Sequence, residues 1–151
     1  AFSGLGAPFF DVDARAILCG LTRGVTRAHI ARAALESVVQ RDADVIEAMR
    51  MSCGAAPPFL MADGGGAKNA LMMQMQADLA DCEVRCSVAS ELSALGAAYM
   101  AGIAVGFYSS LDEIPARRAP ARVYAPKMAV AEREKLRAAW RLAVARARMR
   151  G

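Results

Sequence analysis

The chain has 151 residues, room for one domain with a real core, and 56% of them are hydrophobic against 23% charged. That balance excludes disorder, which needs low hydrophobicity and high net charge. The net charge of +4 is uneven: residues 1–114 carry 8 basic and 13 acidic side chains, a net −5, whereas residues 115–151 carry 11 and 2, a net +9.

Residues 1–13 are rich in Gly, Phe and Pro and read as a loop or irregular strand. Residues 14–21 are apolar and bounded by turn signals, which predicts a short strand. After Gly24, Thr26 is placed to cap a long helix reaching about Arg50. Ile30, Ala34, Val38, Val45 and Met49 recur along it at helical spacing and predict its buried face. Gly54, Pro57 and Pro58 mark a turn. Phe59–Ala62 then reads as a buried strand, followed at once by Asp63, Gly64, Gly65 and Gly66. A helix is expected from about Ala67 to Ala80, and a strand over 83–86.

Ser90 is placed to cap a further helix reaching about Val105. No charge falls between Leu92 and Leu111, yet alanine and glycine dominate that run. A buried core helix with a G-x-x-x-G pair, Gly102 and Gly106, is therefore expected rather than a membrane span. Residues 107–128 hold three prolines and read as a loop. A basic helix closes the chain over 129–149. Leu136, Trp140, Leu142 and Val144 are its docking stripe, and its arginines and lysines are expected to face water. The alternation of strands and helices predicts an α/β fold: a mixed sheet flanked by helices.

Cys19, Cys53, Cys82 and Cys86 form no C-x-x-C pair and lack a matching set of histidines. Free, mostly buried thiols in a reducing cytoplasm are expected, and no zinc site. Residues 1–10 carry neither a charged n-region nor a cleavage site, so no secretory leader is expected. Met72, Met73 and Met75 read as core packing. His29 reads as a capping or packing residue, and Glu36 as a solvated or structural carboxylate.

The stretch with chemical content is Phe59 through Asn69. A strand, a glycine turn and a helix start favour an anion, because first-turn N–H groups lack partners and the peptide dipoles sum to partial positive charge. Glycines let backbone approach a phosphate without side-chain clash. Asn69 both donates and accepts, as base recognition requires. A triple glycine is neither of the common phosphate-loop fingerprints. On physics alone, a tight connection that binds nothing stands beside the phosphate reading.

The run Asp63-Gly64-Gly65 with Asn69 resembles the adenosine motif of the FGGY carbohydrate kinases. Three further blocks agree in order. Gly4-Leu5-Gly6-Ala7-Pro8-Phe9-Phe10-Asp11, with Ala14-Arg15, is similar to a segment of the family's glycerol-kinase members. Gly20 to Gly24, with His29-Ile30 and Ala33 to Glu36, resembles the C-terminal family signature, and Ala94 to Gly102 matches a family helix. The resemblance spans residues 1 to about 115. Phe10, Val12, Ala16 and Val25 depart from the usual Trp, Pro, Gly and Thr.

This resemblance implies a ribonuclease-H-like ATPase domain of the actin, Hsp70 and hexokinase type, present in part over residues 1–151. It implies ATP with Mg²⁺. Gly65 would lie at the phosphates and Asn69 towards adenine, while Gly64 and Gly66 allow close approach. The general base and the site for glycerol or a related polyol would belong to an N-terminal catalytic domain, so no catalytic residue is assigned here and the 151 residues alone are expected to be inactive. Missing early strands would expose sheet edges and favour homo-oligomers or strand exchange. The competing reading is a non-catalytic association module built on the basic helix or those edges. No nucleic-acid motif accompanies the helix, and neither nucleic acid nor membrane is expected as a partner.

Overall fold

The computed structural model describes residues 1, 3–87, 91–114 and 122–149. Helix α1 spans Arg27–Cys53, followed by strand β1, Phe59–Ala62. A 3-10 turn, Gly66–Lys68, leads to α2, Ala70–Ala80, and then to β2, Glu83–Cys86. Helix α3 covers Leu92–Ala104, β3 Arg122–Tyr124 and α4 Val130–Arg148. The sheet order is β1-β2-β3, with β1 parallel to β2 and β2 antiparallel to β3. The mixed sheet is thus as expected. Strand β3 falls inside the stretch read as loop.

Thr26 precedes α1 in extended conformation, and its backbone N–H donates to Nδ1 of His29 at 3.0 Å. His29 therefore caps the helix it belongs to. Gly54 ends the helix in the left-handed region, at φ 70°, where an added Cβ is disfavoured. Helix α2 ends on Asp81, at φ 54°, a conformation uncommon outside glycine in which aspartate is one of the better tolerated residues. Arg133 of α4 holds it there by a two-pronged ion pair, 2.7 and 2.9 Å.

The sheet core joins Ala67, Met73, Ala77, Val84 and Cys86. A second layer joins Val39 and Ala43 of α1 to Met75 and Leu79 of α2. Met73 and Met75 are core residues as expected, with Met72 packed against both clusters. Near the N-terminus, Leu5 and Asp11 exchange backbone hydrogen bonds of 2.7 and 2.8 Å. Leu5, Ala14 and Val144 then pack with Phe9 and Trp140, docking this turn on α4.

Four expectations are corrected. Residues 14–21 form no strand: Ala14 is buried, but Ile17, Leu18 and Leu21 are exposed, because no neighbouring strand among the described residues offers a ladder. The buried face of α1 is Val39, Gln40, Ala43, Asp44 and Ile46, whereas Ile30, Val38 and Met49 face outward. Helix α3 buries none of its residues. Its following turn folds back on it, with Tyr108 stacked edge-on to Tyr99. A Cβ on Gly102 would sit 2.7 Å from the Tyr108 ring, so a larger residue there would displace that ring.

The fourth correction concerns α4. Val144 is buried, but Leu136 and Leu142 are exposed, and Arg137 is the residue driven inward, 5% exposed. Acidic and amide groups of α1 explain the reversal. Arg137 donates to the Gln40 backbone carbonyl and side chain, to Asp44 and to Glu47, at 2.7–3.1 Å. A buried guanidinium needs such saturation to offset its lost hydration. Among the described residues, no helix is long and apolar enough to cross a membrane. The four cysteines are free; Cys82 and Cys86 are buried, Cys19 and Cys53 exposed. The expected cap at Ser90 lies outside the described residues.

Candidate functional site: the glycine turn after β1

The turn starts where β1 leaves the sheet. The Ser87 N–H still donates to the Ala62 carbonyl at 3.1 Å, after which Asp63 and Gly64 turn the chain. Gly64 has φ +78°, the left-handed region that glycine enters without steric cost. Gly65 returns to right-handed helical geometry and opens the 3-10 turn, with Lys68 N–H donating to Gly65 O and Asn69 N–H to Gly66 O.

Helix α2 begins later than the sequence suggests, and Asn69 precedes its first turn as N-cap. Its side-chain oxygen accepts from the Met72 N–H at 3.1 Å. Asparagine is among the best residues for this work, which is the signal that could have identified the role. One donor of the helix start is therefore taken by the protein itself. The side-chain NH₂ of Asn69 keeps its capacity to donate outward.

Gly65, Gly66, Lys68 and Asn69 are all exposed, and Ala67 alone anchors the turn in the core. A Cβ built on Gly64 or Gly65 meets no atom within 4 Å, and one on Gly66 would meet only the Met72 side chain at 3.8 Å. The four residues expected to form the site thus lie on one short surface turn, with open space above Gly64 and Gly65. Asp63 and Lys68 flank it with opposite charges. Among the described residues no group of three or more His, Cys, Asp or Glu gathers as a metal site.

Comparison with known proteins decides the family. The C-terminal domain of the FGGY family of carbohydrate kinases matches residues 1–105. The chain belongs to this family. It is 48% identical over 147 residues to a glycerol kinase of Clostridium beijerinckii, covering 97% of this chain and 30% of that protein. Against a glycerol kinase of Pseudomonas entomophila, identity is 49% over 148 residues, covering 98% and 30%. The chain thus spans about a third of the length of the relatives it matches.

Among solved structures, Plasmodium falciparum glycerol kinase with ADP superposes with a TM-score of 0.86 at 34% identity, over 100% of this chain and 30% of that one. A ligand-bound xylulose kinase from Lactobacillus acidophilus gives 0.71 at 26%, over 92% and 29%. The fold is therefore that of the FGGY kinases, in part.

Proposed function

We propose that these residues are the nucleotide-binding side of an ATP-dependent glycerol kinase, a longer polypeptide that transfers a phosphoryl group from ATP to a polyol hydroxyl. The supporting observation is the glycine turn itself. It offers unobstructed backbone at Gly64 and Gly65 beside the exposed capping residue Asn69, in a fold shared with a kinase solved with ADP. The backbone at Gly65 would meet phosphate oxygens, with Gly64 and Gly66 permitting the approach. Asn69 would face the adenine side. Mg²⁺ would accompany the phosphates, with Asp63 the carboxylate of the turn itself. Phosphoryl transfer rests on positioning and charge stabilisation; in this reading the base and the polyol site belong to the N-terminal catalytic domain. The 151 residues alone are expected to bind nucleotide at most weakly and not to turn it over.

The four free thiols suit a cytoplasmic setting. The association-module reading loses ground in α4, where Arg133 and Arg137 direct their charge into ion pairs within the fold. Calorimetric titration with ATP and ADP, with and without Mg²⁺, tests the proposal. Binding weakened by both Gly65→Ala and Asn69→Ala supports it. Binding untouched by either, or glycerol phosphorylation by the 151 residues alone, refutes it.

A further inference from the structure

Lys68 sits on the glycine turn without a task in the fold. Its side chain is exposed, and among the described residues it makes no hydrogen bond or ion pair. Asp63, at the start of the turn, does not neutralise it. The position is also electrostatically awkward. Lys68 immediately precedes Asn69, the N-cap of α2, and the first turn of α2 holds no acidic side chain. A helix start carries partial positive charge, so a cation there is disfavoured unless an anion joins it.

The geometry of the turn says where this charge projects. Gly65 has helical dihedrals, φ −61° and ψ −41°, and its carbonyl accepts from the Lys68 N–H at 3.3 Å. In a 3-10 turn, residues three apart eclipse one another. Ala67 takes the face turned to the core. Gly66 and Asn69 share a second face, which borders Met72. Gly65 and Lys68 share the third, where a Cβ on Gly65 meets nothing within 4 Å. Lys68 thus lies about 6 Å beyond Gly65 along the turn axis, at about 2 Å per residue. Side chains on a helical turn lean towards its N-terminal end, and the four-carbon stem of lysine carries its ammonium back over that distance. The charge and the bare Gly65 backbone face one open volume.

We propose that Lys68 is a phosphate-binding residue of this site: its ammonium contacts the phosphate chain of a nucleoside di- or triphosphate whose oxygens lie against Gly65. The inference rests on the preceding reading of the turn as a nucleotide site. Lysine serves phosphate as a point charge rather than as a two-pronged donor, so charge governs the contact and arginine can replace it. Bound phosphate also offsets the misplaced cation at the start of α2.

The test is calorimetric titration of the 151-residue chain with ATP and ADP, comparing the parent with Lys68→Arg, Lys68→Met and Lys68→Glu at about 0.1 M and about 1 M salt. Lys68→Arg should bind as well as the parent. Lys68→Met should bind about tenfold more weakly, the order expected for one partly screened charge contact, and Lys68→Glu more weakly still. The Lys68→Met deficit should shrink at about 1 M salt, where the screening length falls to about 3 Å. Without nucleotide, the Tm of Lys68→Met should equal or exceed that of the parent, because no contact of the fold is lost. Equal affinity across the charge series overturns the proposal. So does a salt-independent loss with a lowered Tm, which assigns Lys68 to the fold. Binding abolished by Gly65→Ala but untouched by Lys68→Met overturns this inference and leaves the nucleotide reading standing. Should the 151 residues bind too weakly to titrate, the same variants go into a chimera in which they replace the matching part of the Clostridium beijerinckii glycerol kinase. There KM for ATP should rise about tenfold in Lys68→Met with kcat little changed. An unchanged KM overturns the inference, and a folded chimera that binds no ATP overturns it together with the nucleotide reading.

Discussion

Arg137 and Asp44, 93 residues apart in sequence, meet through a 2.8 Å ion pair with both side chains almost fully buried. The second carboxylate oxygen of Asp44 accepts from the Trp140 indole at 2.9 Å and from Arg41 at 3.0 Å. This cluster ties α4 to α1, and so closes the helical layer that backs the sheet. Removing one member of a buried pair leaves the other charge poorly compensated, at about 3–5 kcal/mol. Arg137→Leu is expected to lose stability of that order in urea unfolding. The double variant Arg137→Leu with Asp44→Leu should lose less than the two single losses combined, because neither member of the buried pair is left without the other.

Asp78 performs a related task at the other end of α4. Its Oδ1 accepts from the backbone N–H groups of Lys127 and Met128, at 2.7 and 3.2 Å, and from Gln74 at 3.1 Å. The chain entering α4 is thereby fixed to α2. Asp78→Ala should destabilise by about 3 kcal/mol, the scale for hydrogen bonds to a charged acceptor. Asp78→Asn, which keeps an acceptor, should lose less. Faster amide exchange at Lys127 and Met128 in both variants would locate the damage.

These two clusters show where sequence reasoning reaches its limit. Local signals were legible: Phe59–Ala62 and Glu83–Cys86 take the expected strand bounds, and His29 caps from the expected helix position. The glycine turn also lies where the motif placed it. Tertiary partners were not legible. Arg137 reads as a surface charge until Asp44, Glu47 and Gln40 are known to face it. Apolarity in residues 15–21 and in α3 predicts burial only if a covering surface is present, and among the described residues none of them is buried. Helix α1 carries two apolar stripes, and its period alone does not say which one α2 selects.

The cysteines divide by environment. Burial pushes the Cys82 thiol above its ordinary range, with Arg50 pulling down and Asp81 pushing up; burial likewise raises Cys86, opposed by Arg122. A thiol raised in the folded state stays neutral after its unfolded counterpart has ionised. The stability it contributes is therefore fully present below the ordinary thiol range and is lost as pH rises from that range through the raised folded value. At neutral pH a thiolate-selective alkylating reagent should modify exposed Cys19 and Cys53 and spare Cys82 and Cys86. Mass mapping of the labelled peptides checks this. Rapid labelling of Cys86 in the folded protein would contradict the burial described for β2.

Gly64 and Gly65 offer the sharpest separation of fold from function. Gly64 stands at φ +78°, so Gly64→Ala is strained even in open space, and about 1 kcal/mol of stability should be lost. Gly65 has φ −61° and nothing within 4 Å of an added Cβ. Gly65→Ala should leave thermal unfolding within about 0.5 kcal/mol of the parent, the usual range for an unconstrained surface change. If phosphates pack against this backbone, that methyl lies in their path, and nucleotide affinity should fall at least about tenfold, or 1.4 kcal/mol. The informative pattern is thus unchanged stability with lost binding at Gly65, against lost stability at Gly64. Unchanged stability and unchanged ATP affinity in Gly65→Ala would make the turn a tight strand-to-helix connection and nothing more.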